Sequence, residues 1–184
     1  IINLVEKKIK YILKIFTKKA YGGLFMDKLL ELLSKNSRLT TSQIAVMLNK
    51  TENEVSKQIE DFEKQGIIKG YHTLINWDKT PDAMTSAIIE LKVAPKKDTG
   101  FDEIARKISS YDEVEGVYLM AGVFDLAVVV RGKNIKDIAM FVSKKLSTME
   151  SVISTATHFI MSKYKEGGTI LADDEGGEKR SIIF

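Results

Sequence analysis

Residues 40–71, TTSQIAVMLNKTENEVSKQIEDFEKQGIIKGY, constrain the fold more than any other stretch of the chain. Thr40 stands three residues before Gln43, and Thr51 three before Glu54. In each pair a hydroxyl can accept from an orphan backbone N–H while the longer side chain reaches back to the cap. Apolar residues then recur at helical spacing: Ile44, Ala45 and Leu48 after the first start, Val55, Ile59 and Phe62 after the second. Two short helices joined by a tight Asn49-Lys50 corner, the second closed by Gly66 as a left-handed cap, make a helix-turn-helix. That motif commonly presents its second helix to the DNA major groove.

Composition excludes several alternatives. There are no cysteines, so disulfides and thiolate metal sites are ruled out, and the two histidines, His72 and His158, lie far apart in sequence. No metal or other cofactor is expected, and no catalytic constellation is evident. No apolar run reaches membrane-span length, so no membrane partner is expected, and a cytoplasmic protein fits. The net charge of +3 is unevenly placed. Residues 1–25 hold six lysines and one acid, a balance of +5, and the other 159 residues sum to −2. Outside that segment the basic field usual for a nucleic-acid binder is missing.

Gly22 and Gly23, whose codons can spell a ribosome-binding sequence, precede Met26 at about the spacing of a translation start. Met26 is therefore expected to initiate the chain, with 1–25 a non-native upstream extension. The alternative is a basic arm with Ile9, Ile12, Leu13 and Phe16 on one face.

A first short helix is expected over Asp27–Ser34, completing a helix-turn-helix domain over 26–70. Ile67–Trp77 reads as a strand or small wing, with 71–82 a linking strand and hinge around Pro81. Residues 83–165 change character. Strands are expected at Met84–Val93, Val114–Met120, Asp125–Arg131 and Val152–Tyr164. Pro95–Gly100 reads as a loop. One helix follows from Phe101, Ile104, Ala105 and Ile108, another from Ile135, Ile138, Ala139, Val142 and Leu146. The order β-α-β-β-α-β is that of a ferredoxin-like fold. The fold class is therefore α+β, a winged helix-turn-helix domain followed by a ferredoxin-like domain. Helices cover only one face of such a sheet, and pairing of the open face with a second subunit is the economical expectation. Residues 166–184 read as a mobile tail, although Ile182, Ile183 and Phe184 can dock elsewhere.

A helix-turn-helix ending in GIIKGYHTLIN, followed by βαββαβ with GVFD between the second and third strands, resembles the Lrp/AsnC (leucine-responsive/asparagine regulator) family over Met26–Lys165. The resemblance implies a regulator of transcription that is not an enzyme and that binds double-stranded DNA through its N-terminal domain. It also implies a RAM/ACT-like C-terminal domain that forms a homodimer and then larger even-numbered assemblies such as an octamer, with an amino-acid effector bound between subunits. Carried onto this chain, the effector positions are Ala121, Gly122, Phe124 and Asp125, with Thr155 and Thr157 of the last strand. Ala121 departs from the Thr or Ser usual before the glycine, which removes one hydrogen bond to an effector.

The second motif helix also departs from relatives rich in Arg and Lys. Between Thr51 and Phe62 only Lys57 is basic. Candidate DNA contacts are Thr41 and Ser42 through backbone N–H groups to phosphate, and Thr51, Asn53, Ser56, Lys57 and Gln58 on the second helix. The bland alternatives are plain capping for the first two and a solvated face for the rest. Gly122 is expected to need positive φ in a hairpin turn. Asp125 either orients an effector amine or stabilises that turn. His158 reads as a core or interface histidine, and Trp77 as a packing anchor. Two rivals remain: a metabolite-binding scaffold with a degenerate reading head, and an enzyme resembling the sirohaem decarboxylases, which share the two-domain layout.

Overall fold

The computed structural model describes residues 27–94 and 100–172. The N-terminal extension or arm, the loop over 95–99 and the tail beyond 172 lie outside the described residues. The chain divides into two compact units that meet in sequence between Thr73 and Leu74.

The first unit holds three helices: α1 (Lys28–Lys35), α2 (Thr41–Leu48) and α3 (Glu52–Lys64). Asp27 caps α1 by accepting from the Leu29 N–H at 2.8 Å. Both expected capping boxes are formed. Thr40 Oγ1 accepts from the Gln43 N–H while Gln43 Oε1 accepts from the Thr40 N–H. Thr51 and Glu54 repeat the exchange. Asn49 turns the corner in the left-handed region at φ 53°, a conformation its short polar side chain tolerates. Leu29, Ile44, Ala45 and Val55 are buried at the centre, and Leu32, Leu33, Leu39, Leu48, Ile59 and Phe62 pack around them. Gly66, at φ +67°, ends α3, and the Ile67 N–H reaches back to the Phe62 carbonyl at 2.9 Å.

The strand expected over Ile67–Trp77 is not formed within the chain. Residues 67–76 pair with no strand among the described residues, and Trp77–Lys79 forms a single 3-10 turn. Residue propensity favours a strand there, but a strand exists only against a partner ladder. Tyr71 instead donates its hydroxyl to Glu63 Oε1 at 2.9 Å, fastening this segment to α3.

The second unit runs β1 (Thr85–Val93), α4 (Asp102–Ser109), β2 (Val114–Leu119), β3 (Leu126–Gly132), α5 (Ile135–Phe141) and β4 (Val152–Phe159). The sheet order is β2-β3-β1-β4 with antiparallel neighbours, which is the ferredoxin-like arrangement expected. Ala87, Ile89 and Leu91 of β1 lie opposite Val130, Val128 and Leu126 of β3 and form the buried face with Ile104, Ile108, Ile138 and Leu146. The opposite face carries Ile88, Glu90, Val129, Ala156 and His158.

Three expectations are corrected here. The helix after β3 is not one uninterrupted apolar stripe. Ile138 and Phe141, three apart on one α-helical face, are buried while Ile135 and Ala139 are exposed, and the helix then widens into a π turn over Val142–Leu146 that brings Leu146 into the core. The last strand ends at Phe159 rather than Tyr164, and the chain does not become a tail at Glu166. Lys165–Glu166 (β5) and Thr169–Ile170 (β6) form a hairpin around Gly167 and Gly168, both at positive φ as a two-residue turn demands. Of the two readings of His158, core or interface, the core one does not hold: the side chain is 58% exposed on the open face, with Nε2 3.4 Å from Glu90 Oε1.

Candidate nucleic-acid interface and effector site

The buried side of α3 is set by Val55, with Ile59 and Phe62 beside it. Helical geometry then turns Asn53, Ser56, Lys57, Glu60 and Lys64 outward. Asn53, Ser56 and Lys57 are all exposed, and Lys57 makes no ion pair among the described residues. Lys64 is paired with Glu60 at 3.1 Å. Residues 27–73 hold seven basic and seven acidic side chains, and α3 alone carries five acids against two lysines. Hydrogen bonds from the backbone and hydroxyl of Thr51 hold the Glu54 carboxyl below its ordinary range, so it is charged and occupied at the cap.

Two of the expected DNA-contacting side chains are otherwise engaged. Gln58 is half-buried: its Nε2 donates to Asp27 Oδ2 at 2.8 Å and its Oε1 accepts from Lys50 Nζ at 2.7 Å. It ties α3 to the cap of α1 and to the helix corner. The Thr51 hydroxyl accepts from the Glu54 N–H and donates to Glu54 Oε2. Thr41 and Ser42 occupy the first turn of α2, where backbone N–H groups lack intrahelical acceptors. Ser42 also borders a notch at the helix corner with Val46, Asn49, Lys50 and Glu52. Sequence reasoning missed Lys50 and Asp27 as the partners of Gln58. Residues 27 and 58 are brought together by tertiary packing, for which no local pattern exists.

The effector candidates fall into two groups. Residues 121–125 form the loop between β2 and β3, closed by the Met120 N–H on the Asp125 carbonyl at 2.8 Å. Gly122 is not in the left-handed region, contrary to expectation. Five residues spread the reversal that a two-residue turn would concentrate on one glycine. Asp125 is built into the sheet: its N–H donates to the Leu91 carbonyl at 2.9 Å, and its Oδ2 accepts from the Val93 N–H at 3.0 Å. Thr155 and Thr157 share one half-buried face of β4, opposite Leu91 and Ile89. Since β1 separates β4 from β3, the two groups are two strand spacings apart, about 10 Å. Within one chain they do not converge on a common cleft.

Among the described residues no group of three or more His, Cys, Asp or Glu is placed to hold a metal, and no helix is long and apolar enough to cross a membrane.

A capped three-helix reading head followed by a ferredoxin-like domain defines a DNA-binding regulator of transcription with a ligand-binding domain. Residues 28–69 match the model for winged helix-turn-helix DNA-binding domains, and residues 86–170 match that for the Lrp/AsnC ligand binding domain. The HTH-type transcriptional regulator YugG of Bacillus subtilis (strain 168) is 45% identical over 157 residues, covering 85% of this chain and 93% of its own. The crystal structure of PH0061 superimposes with a TM-score of 0.66 at 26% identity, over 78% of this chain and 98% of that one. The Neisseria meningitidis regulator NMB0573, solved as an L-Met complex, shares the fold with a TM-score of 0.62 at 19% identity, over 77% and 94%. The chain belongs to the Lrp/AsnC family of transcriptional regulators.

Proposed function

We propose that this regulator reads a specific operator by laying α3 in the major groove, acts as a homodimer or a larger even-numbered assembly, and answers to an amino acid or a similar small metabolite. The observation that carries the reading is the outward face of α3. Asn53, Ser56 and Lys57 stand exposed and uncommitted directly behind a fully formed cap. Asn can bond adenine through two contacts, and Lys can reach guanine or phosphate. Thr41 and Ser42 supply phosphate contacts through the first turn of α2. Gln58 and the Thr51 hydroxyl leave the contact set, since their bonds hold the helices in place.

A head with no net charge binds DNA weakly by itself, because phosphate neutralisation supplies most sequence-independent affinity. Assembly of several heads compensates by raising effective concentration. The open, partly apolar sheet face supports pairing of copies. The L-Met bound by NMB0573 supports an amino-acid effector. Ala121, Gly122, Phe124, Asp125, Thr155 and Thr157 make such a site only when a second copy brings the two groups together. A protein of this kind works in the cytoplasm beside the DNA and performs no catalysis.

The test is a gel shift on the DNA upstream of the protein's own gene, at several salt concentrations and with each proteinogenic amino acid added in turn. A specific shift that Asn53→Ala and Lys57→Glu both weaken is expected. Equal affinity for that DNA and for a scrambled sequence at every salt concentration would sink the reading and favour a scaffold with a degenerate head.

A further inference from the structure

The open face of the sheet carries an ionisable pair among short and apolar side chains. Glu90 of β1 lies opposite Ala127 of β3 and Ala156 of β4, so its carboxylate rises between two methyl groups. Ile88, the neighbouring outward residue of β1, lies opposite Val129 and His158. His158 therefore meets Glu90 on the diagonal, with Nε2 3.4 Å from Oε1.

The β2 side of this face is low. Tyr118 lies opposite Ala127, which is buried although its side chain belongs to the open face. A Cβ added at Gly116 would stand 2.9 Å from Tyr118 Cε2, so the bare glycine lets the ring lie down along the strand. A low ring on β2 and methyl groups on either side of Glu90 let a second copy approach the pair closely and strip its water.

The other charges on or beside the face have partners or water. Lys92 is exposed at the bulge near the end of the β1–β4 ladder, where its long stem keeps the ammonium in water. Arg131 of β3 pairs with Glu115 of β2. Past the end of β4, Lys163 pairs with Glu166 at 2.9 Å, and Asp78 stands in the same cleft. Tyrosine hydroxyls, such as that of Tyr118, are neutral around pH 7. That leaves a histidine, the side-chain type whose charge changes between pH 5 and 8.

On a free copy the pair is open to water, and such a pair contributes little. Covered by a second copy, Glu90 loses hydration, and leaving it unpaired there is unfavourable unless His158 carries a proton. We propose that pairing of copies through the open face takes up protons at His158, so that the assembly tightens as pH falls from 8 towards 6. The paired state holds more protons than the separate copies, and linkage then requires that protons strengthen pairing. The device rests on the open-face pairing proposed above. Because assembled heads raise effective concentration at DNA, acidification strengthens operator binding by the same route.

The chain has two histidines, His72 and His158, so each can be removed in turn. The full-length protein, fluorescently labelled, is sedimented at nanomolar to micromolar concentration from pH 5.5 to 8.5 at constant ionic strength. Exchange of differently labelled subunits, followed by energy transfer, reads the same dependence where the assembly stays whole at the lowest concentration. The association constant is expected to rise roughly tenfold from pH 8 to pH 6, the combined effect of one such pair on each copy, with exchange slowed to match. His158→Gln should flatten the profile, and His72→Gln should leave it as it is. Glu90→Gln should invert it, because the protonated imidazole is then covered without its counter-charge, an outcome that lost packing alone does not produce. Pairing of equal strength at every pH overturns the proton linkage and leaves open-face pairing standing. A profile that His72→Gln removes, or that Glu90→Gln leaves unchanged, does the same. A protein that is monomeric throughout, or whose pairing is untouched by Ile88→Lys in the middle of the face, overturns open-face pairing and the linkage with it.

Discussion

Replacing Gln58 with alanine distinguishes a structural role for this side chain from a base-reading one. The side chain makes two bonds, one to the Asp27 carboxylate at 2.8 Å and one from the Lys50 ammonium at 2.7 Å. Hydrogen bonds to charged partners contribute about 1.5–3 kcal/mol each when buried. Lys50 is exposed and Gln58 only half-buried, so solvent competes for both bonds. A combined loss of about 1–2 kcal/mol follows. Gln58→Ala should thus speed hydrogen exchange of the α3 amides by roughly five- to thirtyfold, at 1.4 kcal/mol per decade. Mass-resolved exchange on the peptide spanning 52–64 measures this directly. At a temperature where the head stays folded, operator affinity should change less than twofold, because Gln58 faces inward. Unchanged exchange together with a tenfold or greater loss of operator binding would refute the structural assignment and return Gln58 to the reading face.

Three further outcomes are expected. With about two phosphate contacts per head, log Kd for a dimer should vary with log salt at a slope near 4, against about 10 for a strongly basic repressor, and Lys57→Glu should lower that slope by about 2; fluorescence anisotropy on labelled operator measures both. Gly66→Ala should destabilise the reading head by about 1 kcal/mol through its φ of +67°, whereas Asn49→Gly, also left-handed, should move it by only a few tenths, as read by circular dichroism melts. The hydrogen bond from Lys145 holds the Glu113 carboxyl below its ordinary range. The folded value is therefore the lower one. The pair's stabilisation is present above the unfolded carboxylate pKa of about 4.3 and is lost as pH falls through the folded value. Thermal melts followed by Trp77 emission should show Glu113→Gln flattening the acid limb while leaving a smaller pH dependence from other groups.

Much of this fold could be read from local chemistry. A capping box is completed within four residues, so Thr40 with Gln43 and Thr51 with Glu54 announced two helix starts, and both were formed. The βαββαβ order likewise fixed a four-stranded antiparallel sheet, because that connectivity leaves few alternatives. What escaped was decided over longer distances. Gln58 looked like a base reader because nothing local indicates that Asp27 and Lys50 will occupy it. Phe141 was absent from the expected core because the stripe was read through Ile135 and Ala139, while packing on the sheet selects the neighbouring Ile138–Phe141 face. Gly167-Gly168 is a hairpin signal in its own right, but beside a run of acids and glycines it read as flexible chain. Gly122 showed the reverse error, a turn glycine whose loop is long enough not to need it.

The charge balance of the reading head has a consequence for how the regulator is distributed in a cell. Most repressors are stored on bulk chromosomal DNA, which binds them through phosphates at micromolar strength and outnumbers the operator by a factor of roughly a million or more. A head with as many acids as bases forms a poor reservoir of this kind. Such a head should leave less of the protein sequestered at random positions and more of it free. Operator occupancy would then follow the copy number of the protein closely, with little buffering by the chromosome. Search by sliding is curtailed in exchange, so the operator is found mainly by repeated three-dimensional encounter.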